Sequence, residues 1–499
     1  MAHPKVVLAL PYPFPGDTAL VGAPQHDVGD NADQGSVYVF VRTGTTWSFQ
    51  QQLTAPDGAA GDSFGYAVSL FGDSALVGAP FDDVGANDAQ GSAYVFVRTG
   101  TTWSFQQKLT APDGAAEDSF GTSVSLFEDS ALAGMPEDDI GGNLSQGSAY
   151  VFARTGTTWS FQQKLTAPDG AAGDFFGTSV SLFEDSALVS APFDDVGAND
   201  AQGSAYVFVR TGTMWSFQQK LTAPDGAAND SFGSAVSLSG ESALVGAAFK
   251  TIGGSPAQGS AYVFVRTGTT WSFQQQLTDA DGAYSDLLGF SVSLSGDTAL
   301  AGAPLDGVGA ASGQGSVSIF TRTGTTWSFQ QKLIAADGSA SDFFGYAVTV
   351  SGETVLAGAP YDDAGGIADL GSAYLYRADA TPYVDSITRA DPNPTGAGSV
   401  AFRVTFSEAV SDVDSADFSL STTGTLSGSR IDSVSGSGAI YTVAVTTGRG
   451  CGSLRLDLAA DATITDEAGL SLTNLPYVDG EAYSVLYAIY LPQVIGSDS

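Results

Sequence analysis

Thr102-Trp103-Ser104-Phe105-Gln106-Gln107-Lys108-Leu109 is the stretch on which the fold turns. Its alternation of apolar and polar residues predicts a half-buried β-strand, with Trp103, Phe105 and Leu109 on one face and Ser104, Gln106 and Lys108 on the other. The stretch also recurs. Trp47, Trp103, Trp159, Trp215, Trp271 and Trp327 are each 56 residues apart, and Asp57, Asp113, Asp169, Asp225, Asp281 and Asp337 keep the same step. No insertion interrupts it between residue 20 and about residue 377.

Working outward from this strand gives the rest of the unit. Phe64 to Leu70 reads as a short apolar strand, Gly72-Asp73 as a tight turn, and Ala75 to Pro80 as a second strand. A polar loop from Asp82-Asp83 to Gln90-Gly91 leads to the third, Ser92 to Arg98, and Thr99-Gly100-Thr101 turns the chain into the fourth. Four antiparallel strands per 56 residues match a propeller blade, whereas helical repeats need a 3.6 period that is absent. The second-strand motif ends at Pro24, Pro80, Pro136, Pro192, Ala248, Pro304 and Pro360, and the third strand also occurs seven times. The fourth strand and the Phe-Gly start occur six times, with Leu288-Gly289 as a variant. The expectation is therefore a seven-bladed β-propeller of four-stranded antiparallel blades, incomplete at both ends. Lys5 to Leu10 would be a poor first strand beside the proline-broken Pro11, Pro13 and Pro15, and residues near Tyr383, at the next tryptophan position, a short last one.

Phe64-Gly65 followed by Val77-Gly78-Ala79-Pro80, repeated over residues 6 to 383, resembles the FG-GAP repeat of integrin α-subunit propellers and of many bacterial surface and secreted proteins. The resemblance implies extracellular recognition or adhesion. Calcium-binding members carry an Asp-rich loop between the first and second strands; here that connection is only Phe71-Gly72-Asp73-Ser74, too short to surround Ca2+ with six or seven oxygens. No cofactor is expected to be required, and Ca2+ stays open only at other loops. Residues 384 to 486 lose the repeat and resemble a bacterial Ig-like β-sandwich, carried by Val404 to Val410, Asp417-Phe418, Tyr441 to Val443 and Leu454 to Asp457. Residues 487 to 499 form a C-terminal tail, apolar as far as Ile495.

Composition narrows the partners. The 54 Asp+Glu against 18 Lys+Arg among 499 residues give a formal charge of -36, although only 14% of residues are charged. So acidic a surface repels phosphate backbones and anionic headgroups, which argues against nucleic acid. No stretch approaches 18 apolar residues, so no membrane-inserted helix is expected. Met1 to Leu10 lacks the apolar core of a leader. The single Cys451 excludes an internal disulfide framework, and two histidines leave little for His-based catalysis or metal sites.

Three sets of residues could carry function. The first pairs Asp57 with Asp62, Asp113 with Asp118, Asp169 with Asp174, Asp225 with Asp230, Asp281 with Asp286 and Asp337 with Asp342. Each pair could hold a cation with loop carbonyls, or the first Asp could support the Asp-Gly turn and the second cap amides before the inner strand. The second set is Asp82-Asp83, Asp138-Asp139, Asp194-Asp195 and Asp362-Asp363, read either as a glycosidase carboxylate pair or as solvated loop. The third gathers departures from the repeat: His26, Met135-Pro136-Glu137, Tyr284 with Leu287-Leu288, and the run Phe249 to Pro256, in which Lys250, the lone lysine on these loops, is the leading candidate for a ligand contact confined to one sector. Arg42, Arg98, Arg154, Arg210, Arg266 and Arg322 are expected to lie over their strands and offset nearby aspartates.

Near-identical loops multiply weak contacts without making one unique catalytic set. The expected function is therefore non-enzymatic: adhesion, ligand binding or assembly outside the cell or on its surface, with a protein or glycan ligand. A self-assembling filament or surface-layer subunit, associating through the Ig-like domain and tail, is the alternative. A lectin is another, and a polysaccharide hydrolase the last.

Overall fold

Short apolar runs separated by two-residue turns favour antiparallel pairing of neighbours in sequence. A computed structural model describes residues 7–9, 18–43, 46–377, 382–466 and 471–486. In it Ala67–Phe71, Ser74–Ala79, Ser92–Thr99 and Thr102–Leu109 pair consecutively as one antiparallel sheet. Six such four-stranded sheets succeed one another, their first strands beginning at Val7, Ala67, Ser123, Val180, Phe232 and Ser291. We number these sheets 1 to 6. Sheet 7 has three strands, Ala347–Ser351, Thr354–Ala359 and Ser372–Arg377. The chain divides into two compact units, residues 1–378 and 379–499, and the sheets 1 to 7 make up the first.

The fourth strand departs from simple alternation. Val95 pairs with Gln107 but Phe96 with Phe105, so Gln106 is an extra residue, a β-bulge. A bulge reverses the inside-outside sense of everything beyond it. Lys108 thus joins Trp103 and Phe105, its ammonium 5.2 Å from the Tyr94 ring centroid, while Leu109 packs on the opposite face with Ala93 and Val95. The expected grouping of Leu109 with Trp103 and of Lys108 with Gln106 is corrected accordingly. The bulge recurs in all six fourth strands.

With both faces apolar, each sheet is sandwiched between neighbours. Leu20, Val37, Val39 and Leu53 of sheet 1 share a core with Tyr94, Phe96 and Trp103 of sheet 2, and Leu76, Ala93, Val95 and Leu109 of sheet 2 do the same with Tyr150 and Trp159 of sheet 3. Burying each large side chain contributes about 1.5–3 kcal/mol. The succession returns on itself, since Leu356 of sheet 7 packs with Leu8 and Ala19 of sheet 1. First strands of all the sheets line one cavity of about 490 Å³, from Leu8 through Val68, Val124, Val180, Val236 and Val292 to Val348. Repeated sheets packed in this way fit a β-propeller.

Polar bonds reinforce the stacking. The Ser69 hydroxyl accepts the Leu126 amide at 2.9 Å, and Ser125 accepts that of Leu182 at 2.9 Å. Gln51 clasps the Trp103 backbone, donating to its carbonyl at 2.8 Å and accepting its amide at 2.9 Å. Arg98 lies 5.6 Å from the Trp103 ring centroid, donates to Asp73 at 2.7 Å, and reaches Thr18 of sheet 1 at 2.8 Å. The Phe-Gly and Gly-Ala-Pro motifs meet here too. A Cβ built on Gly78 of sheet 2 would lie 2.0 Å from the carbonyl oxygen of Gly121, at the head of sheet 3.

The first strand agrees with expectation and the last does not. Val7–Ala9 does pair with the second strand of sheet 1, but Tyr383 is not a last strand of sheet 7. Its amide donates to the Ser407 hydroxyl at 3.0 Å and its carbonyl accepts the Ser407 amide at 2.9 Å, which commits it to the second unit. Pro11, Pro13, Pro15 and the tail 487–499 lie outside the described residues.

The second unit is all-β as well. One antiparallel sheet joins Val384–Arg389, Ser399–Phe406, Ile440–Thr446 and Arg430–Ser437; another joins Phe418–Thr422, Gly452–Leu458 and Ala482–Val485. Phe402, Val404, Val443, Leu454, Leu456 and Tyr483 form their common core. Helix among the described residues is limited to two short 3-10 turns, so none is long and apolar enough to cross a membrane.

Candidate functional site

The loop carboxylates converge on the third and fourth strands of each sheet. In sheet 2 the Tyr94 hydroxyl donates to Asp57 at 3.0 Å, and Lys108 lies 2.8 Å from Asp57 and 2.7 Å from Asp82. Ser92 completes the cluster by donating to Asp82. The Gln106 bulge is what turns Lys108 onto this face. Burial alone would raise Asp57, but the Lys108 ammonium and Tyr94 hydroxyl outweigh it and hold the carboxyl below its ordinary value. Burial disfavours the Lys108 ammonium in turn, and Asp57 and Asp82 more than compensate, so its value is raised.

The second carboxylate of each pair does different work. Asp62 accepts the Ala59 amide at 2.6 Å, as Asp118 does from Ala115 at 2.5 Å and Asp174 from Ala171 at 2.6 Å. It therefore caps the amide that follows the Asp-Gly turn, ahead of the inner strand. Burial pushes Asp62, Asp118 and Asp174 up to about 6, the bonded amides opposing it.

The arrangement recurs with variations. Lys164 lies 2.9 Å from Asp113 and 2.7 Å from Asp138, and Lys220 lies 2.7 Å from Asp169 and 2.8 Å from Asp194. In sheet 6 Lys332 pairs with Asp281 at 2.7 Å and Asp306 at 3.1 Å, while Asp286 accepts the Ala283 amide at 2.5 Å. In sheet 7 Tyr374 donates to Asp337 at 2.9 Å and to Asp362 at 3.1 Å, and Asp342 accepts the Ser339 amide.

Lys250 is the main correction. It is only 5% exposed, and its ammonium lies 3.0 Å from Asp230 and 3.3 Å from Asp225. It stands where sheet 2 has Asp82, and Gln276 stands where sheet 2 has Lys108. The positive charge has moved from the fourth strand to the loop, and Gln276 donates instead to the Tyr262 hydroxyl at 2.8 Å. A buried lysine neutralised by two carboxylates offers no contact to a ligand.

The adjacent carboxylates diverge. Asp82 is 3% exposed and bonded as above, so the solvated-loop reading fails for it, whereas exposed Asp83 accepts the Ala89 amide at 2.8 Å. The two do not face one another as a glycosidase pair must. His26 occupies the Asp82 position in sheet 1 and stacks edge-on against Tyr38, ring centroids 5.9 Å apart. Met135 is buried; Tyr284 is exposed; Leu288 replaces the usual buried phenylalanine.

In sheets 2 to 6 an ammonium thus occupies the place between carboxylates that a metal ion would need, and no group of three or more His, Cys, Asp or Glu among the described residues could hold one. Titrating the protein with Ca2+ at low salt is expected to leave the melting temperature unchanged, because a ligand specific for the folded chain must raise it. A saturable rise would restore the cation reading.

The raised carboxylates give a pH signature. Asp62, Asp118 and Asp174, at about 6 when folded against an ordinary 3.8, bind more protons folded than unfolded between those values. Their contribution to stability is full below the lower value and lost as pH rises through the upper. Asp57, Asp113 and Asp169 are lowered, so their contribution is lost as pH falls below the ordinary range. The melting temperature is therefore expected to rise from pH 7 to pH 5 and fall again below about pH 4. Asp118→Asn should flatten the upper slope; a variant with the parental slope would refute the assignment.

One surface went unnoticed in the sequence. Phe193 and Phe249, 46% and 47% exposed, stand beside the central cavity with Tyr66, Phe290 and Tyr346. Phe81, 38% exposed, stacks on Tyr66 with centroids 5.9 Å apart, and Tyr361 likewise on Phe343 at 5.1 Å. The signal was an aromatic residue one position after Pro80, Pro192, Ala248 and Pro360. Trp103 and its buried equivalents, each 2% exposed, are structural.

A run of antiparallel sheets tied edge to face by repeated polar bonds defines an all-β repeat protein of the propeller type. The FG-GAP repeat model matches residues 47–96, 103–152, 159–208, 215–264, 271–320 and 327–376, and the chain belongs to the FG-GAP repeat family. The repeats number six, not the seven counted from the second-strand motif. Each runs from a fourth strand to the third strand of the next sheet, which leaves the three strands Val7–Ala9, Thr18–Ala23 and Ser36–Thr43 ahead of the first repeat. No curated protein matches the chain.

Proposed function

We propose that sheets 1 to 7 close as a seven-bladed propeller and that the chain is a non-enzymatic binding protein acting outside the cell or on its surface. Its ligand is a glycan or a protein surface engaged at the mouth of the central cavity. The observation that carries this is the exposed pair Phe193 and Phe249 beside a cavity lined by the first strands, with Phe81 packed on Tyr66 of the same lining. Exposed rings at the mouth of a shaped cavity supply apolar contact and stacking faces, and equivalent positions around an axis multiply weak contacts by avidity. The FG-GAP repeats support the same class, since propellers of this family commonly serve adhesion or ligand binding. The second unit, with two sheets around one core, is proposed as an Ig-like module.

A glycan array run beside a hydrolysis screen on the same polysaccharides tests the reading. Binding without turnover, weakened in Phe193→Ala and Phe249→Ala, is the expected result. Turnover would make the protein a hydrolase, and binding indifferent to both substitutions would remove the cavity mouth as the site. Self-assembly remains a second reading because the tail after Leu486 is apolar as far as Ile495. Loss of oligomers on deleting residues 487 to 499 would favour it, and an unchanged monomer would reject it.

A further inference from the structure

Sheet 7 ends, among the described residues, at its third strand, Ser372–Arg377. The outer edge of that strand carries backbone donors and acceptors that in every other sheet are paired by a fourth strand. Its side chains register the difference: Leu375 is 37% exposed where Val95, at the same place in sheet 2, is 0% exposed.

The carboxylates at this edge lack a counterpart as well. Asp337 and Asp362 stand where sheet 2 has Asp57 and Asp82, and among the described residues no lysine or arginine reaches either of them. The Tyr374 hydroxyl donates to both, whereas in sheet 2 the two acids are bridged by Lys108. Sheets 3, 4 and 6 place Lys164, Lys220 and Lys332 in the same way, and sheet 5, lacking that lysine, supplies Lys250 from a loop. Four sheets of this molecule therefore show which chemical group the two carboxylates take, a primary ammonium; in sheet 5 lysine itself replaces the second acid and sits between Asp225 and Asp230.

We propose that the open edge of sheet 7 docks an extended, lysine-bearing peptide segment of a partner protein, which adds as a fourth strand and seats its ammonium between Asp337 and Asp362. Such β-augmentation draws affinity from main-chain bonds and specificity from side-chain places at fixed register. The register follows from sheet 2, where Ala93, Tyr94, Val95 and Phe96 oppose Leu109, Lys108, Gln107 and Phe105. On sheet 7 the incoming lysine would oppose Tyr374, with a glutamine opposite Leu375 and an aromatic residue opposite Tyr376. Beside the edge lies a groove of about 1090 Å³, with Ile367, Leu370 and Leu375 on one wall and Tyr38, Phe40 and Trp47 on the other. Trp47 is only partly buried, whereas the other five tryptophans are each 2% exposed. At those five sites a glutamine from the preceding sheet's fourth strand clasps the tryptophan backbone, as Gln51 does for Trp103. The docked strand's glutamine would give Trp47 the same clasp. The overall charge of -36 favours a basic partner.

This site is independent of the cavity mouth, so either proposal can fail alone. The probe is a labelled peptide with the sequence of residues 101–110, titrated against the full chain by fluorescence anisotropy at low and high salt. Saturable one-to-one binding is expected, with slowed hydrogen exchange at Ser372–Arg377. Lys108→Gln in the peptide, or Asp362→Asn in the chain, is expected to weaken it about tenfold or more, as loss of a buried charge partner does. Because the peptide variant is read on the unaltered protein, the result does not depend on the chain variant folding. Absence of saturable binding, equal affinity of the Lys108→Gln peptide, or protection located elsewhere would each overturn the proposal.

Discussion

Gly121→Ala is expected to lower the stability of the first unit by about 2–5 kcal/mol, the sum of a left-handed backbone penalty and a collision in a packed interior. Gly121 has a φ of 91°, and a Cβ there would lie 2.5 Å from the Ser92 carbonyl oxygen and 3.4 Å from the Gly78 Cα. Both neighbours are backbone of the adjacent sheet 2, so neither can rotate away. The control is Gly72→Glu. Gly72 also has a positive φ, 56°, but nothing lies within 4 Å of its Cβ position, and Glu128 and Glu184 occupy the same turn in sheets 3 and 4 with φ of 50°. That substitution should cost no more than about 1 kcal/mol. Urea unfolding of the two variants separates backbone conformation from close approach. Equal losses would mean that contact between the Phe-Gly and Gly-Ala-Pro motifs is not what requires glycine.

The second large effect concerns the relocated charge. Lys250→Asp leaves Asp225 and Asp230 without their ammonium and adds a third carboxylate, and is expected to cost about 3–5 kcal/mol, as breaking a buried ion pair does. Gln276→Lys on that background restores the arrangement of sheet 2, with Asp at the loop position and Lys on the fourth strand. The double variant should return to within about 1 kcal/mol of the parent, a coupling of at least about 2 kcal/mol between side chains on different elements. Thermal unfolding of the two single variants and the double one completes the cycle. Additive losses would show that the ammonium cannot be exchanged between loop and strand, and that sheet 5 has diverged beyond this pair.

The strands of a repeat were legible because one 56-residue step places Trp103, Tyr94, Gly78 and Asp57 in the same relation again and again. The face assignment beyond Gln106 was not. A bulge is the choice of one residue to stand outside the ladder, and Gln106-Gln107 offers two equivalent candidates by composition. Lys250 was visible as an exception, but its meaning depended on Gln276, 26 residues away on another strand, and only their meeting at Asp225 and Tyr262 makes one substitution the answer to the other. Counting forward from Trp327 pointed to Tyr383 as a final strand, yet the Ser407 backbone and hydroxyl draw that residue into the second unit. The aromatic residues near the cavity passed unnoticed because position 81 of the repeat is variable, carrying Phe81, Glu137, Phe193, Phe249, Leu305 and Tyr361 in turn.

Periodicity alone was enough for the all-β class, the order of strands and the turns between them, since those depend on neighbours along the chain. The destination of each charge was a matter for the tertiary structure. Asp57 and Lys108 lie 51 residues apart and meet at 2.8 Å because the sheet brings a loop over the fourth strand, and a bulge turns the lysine toward it. The same packing buries Lys250 and leaves Asp337 and Asp362 without an ammonium among the described residues. Local propensities select a strand, but whether a carboxylate is neutralised, buried or open to a partner is decided by which strand completes the sheet around it.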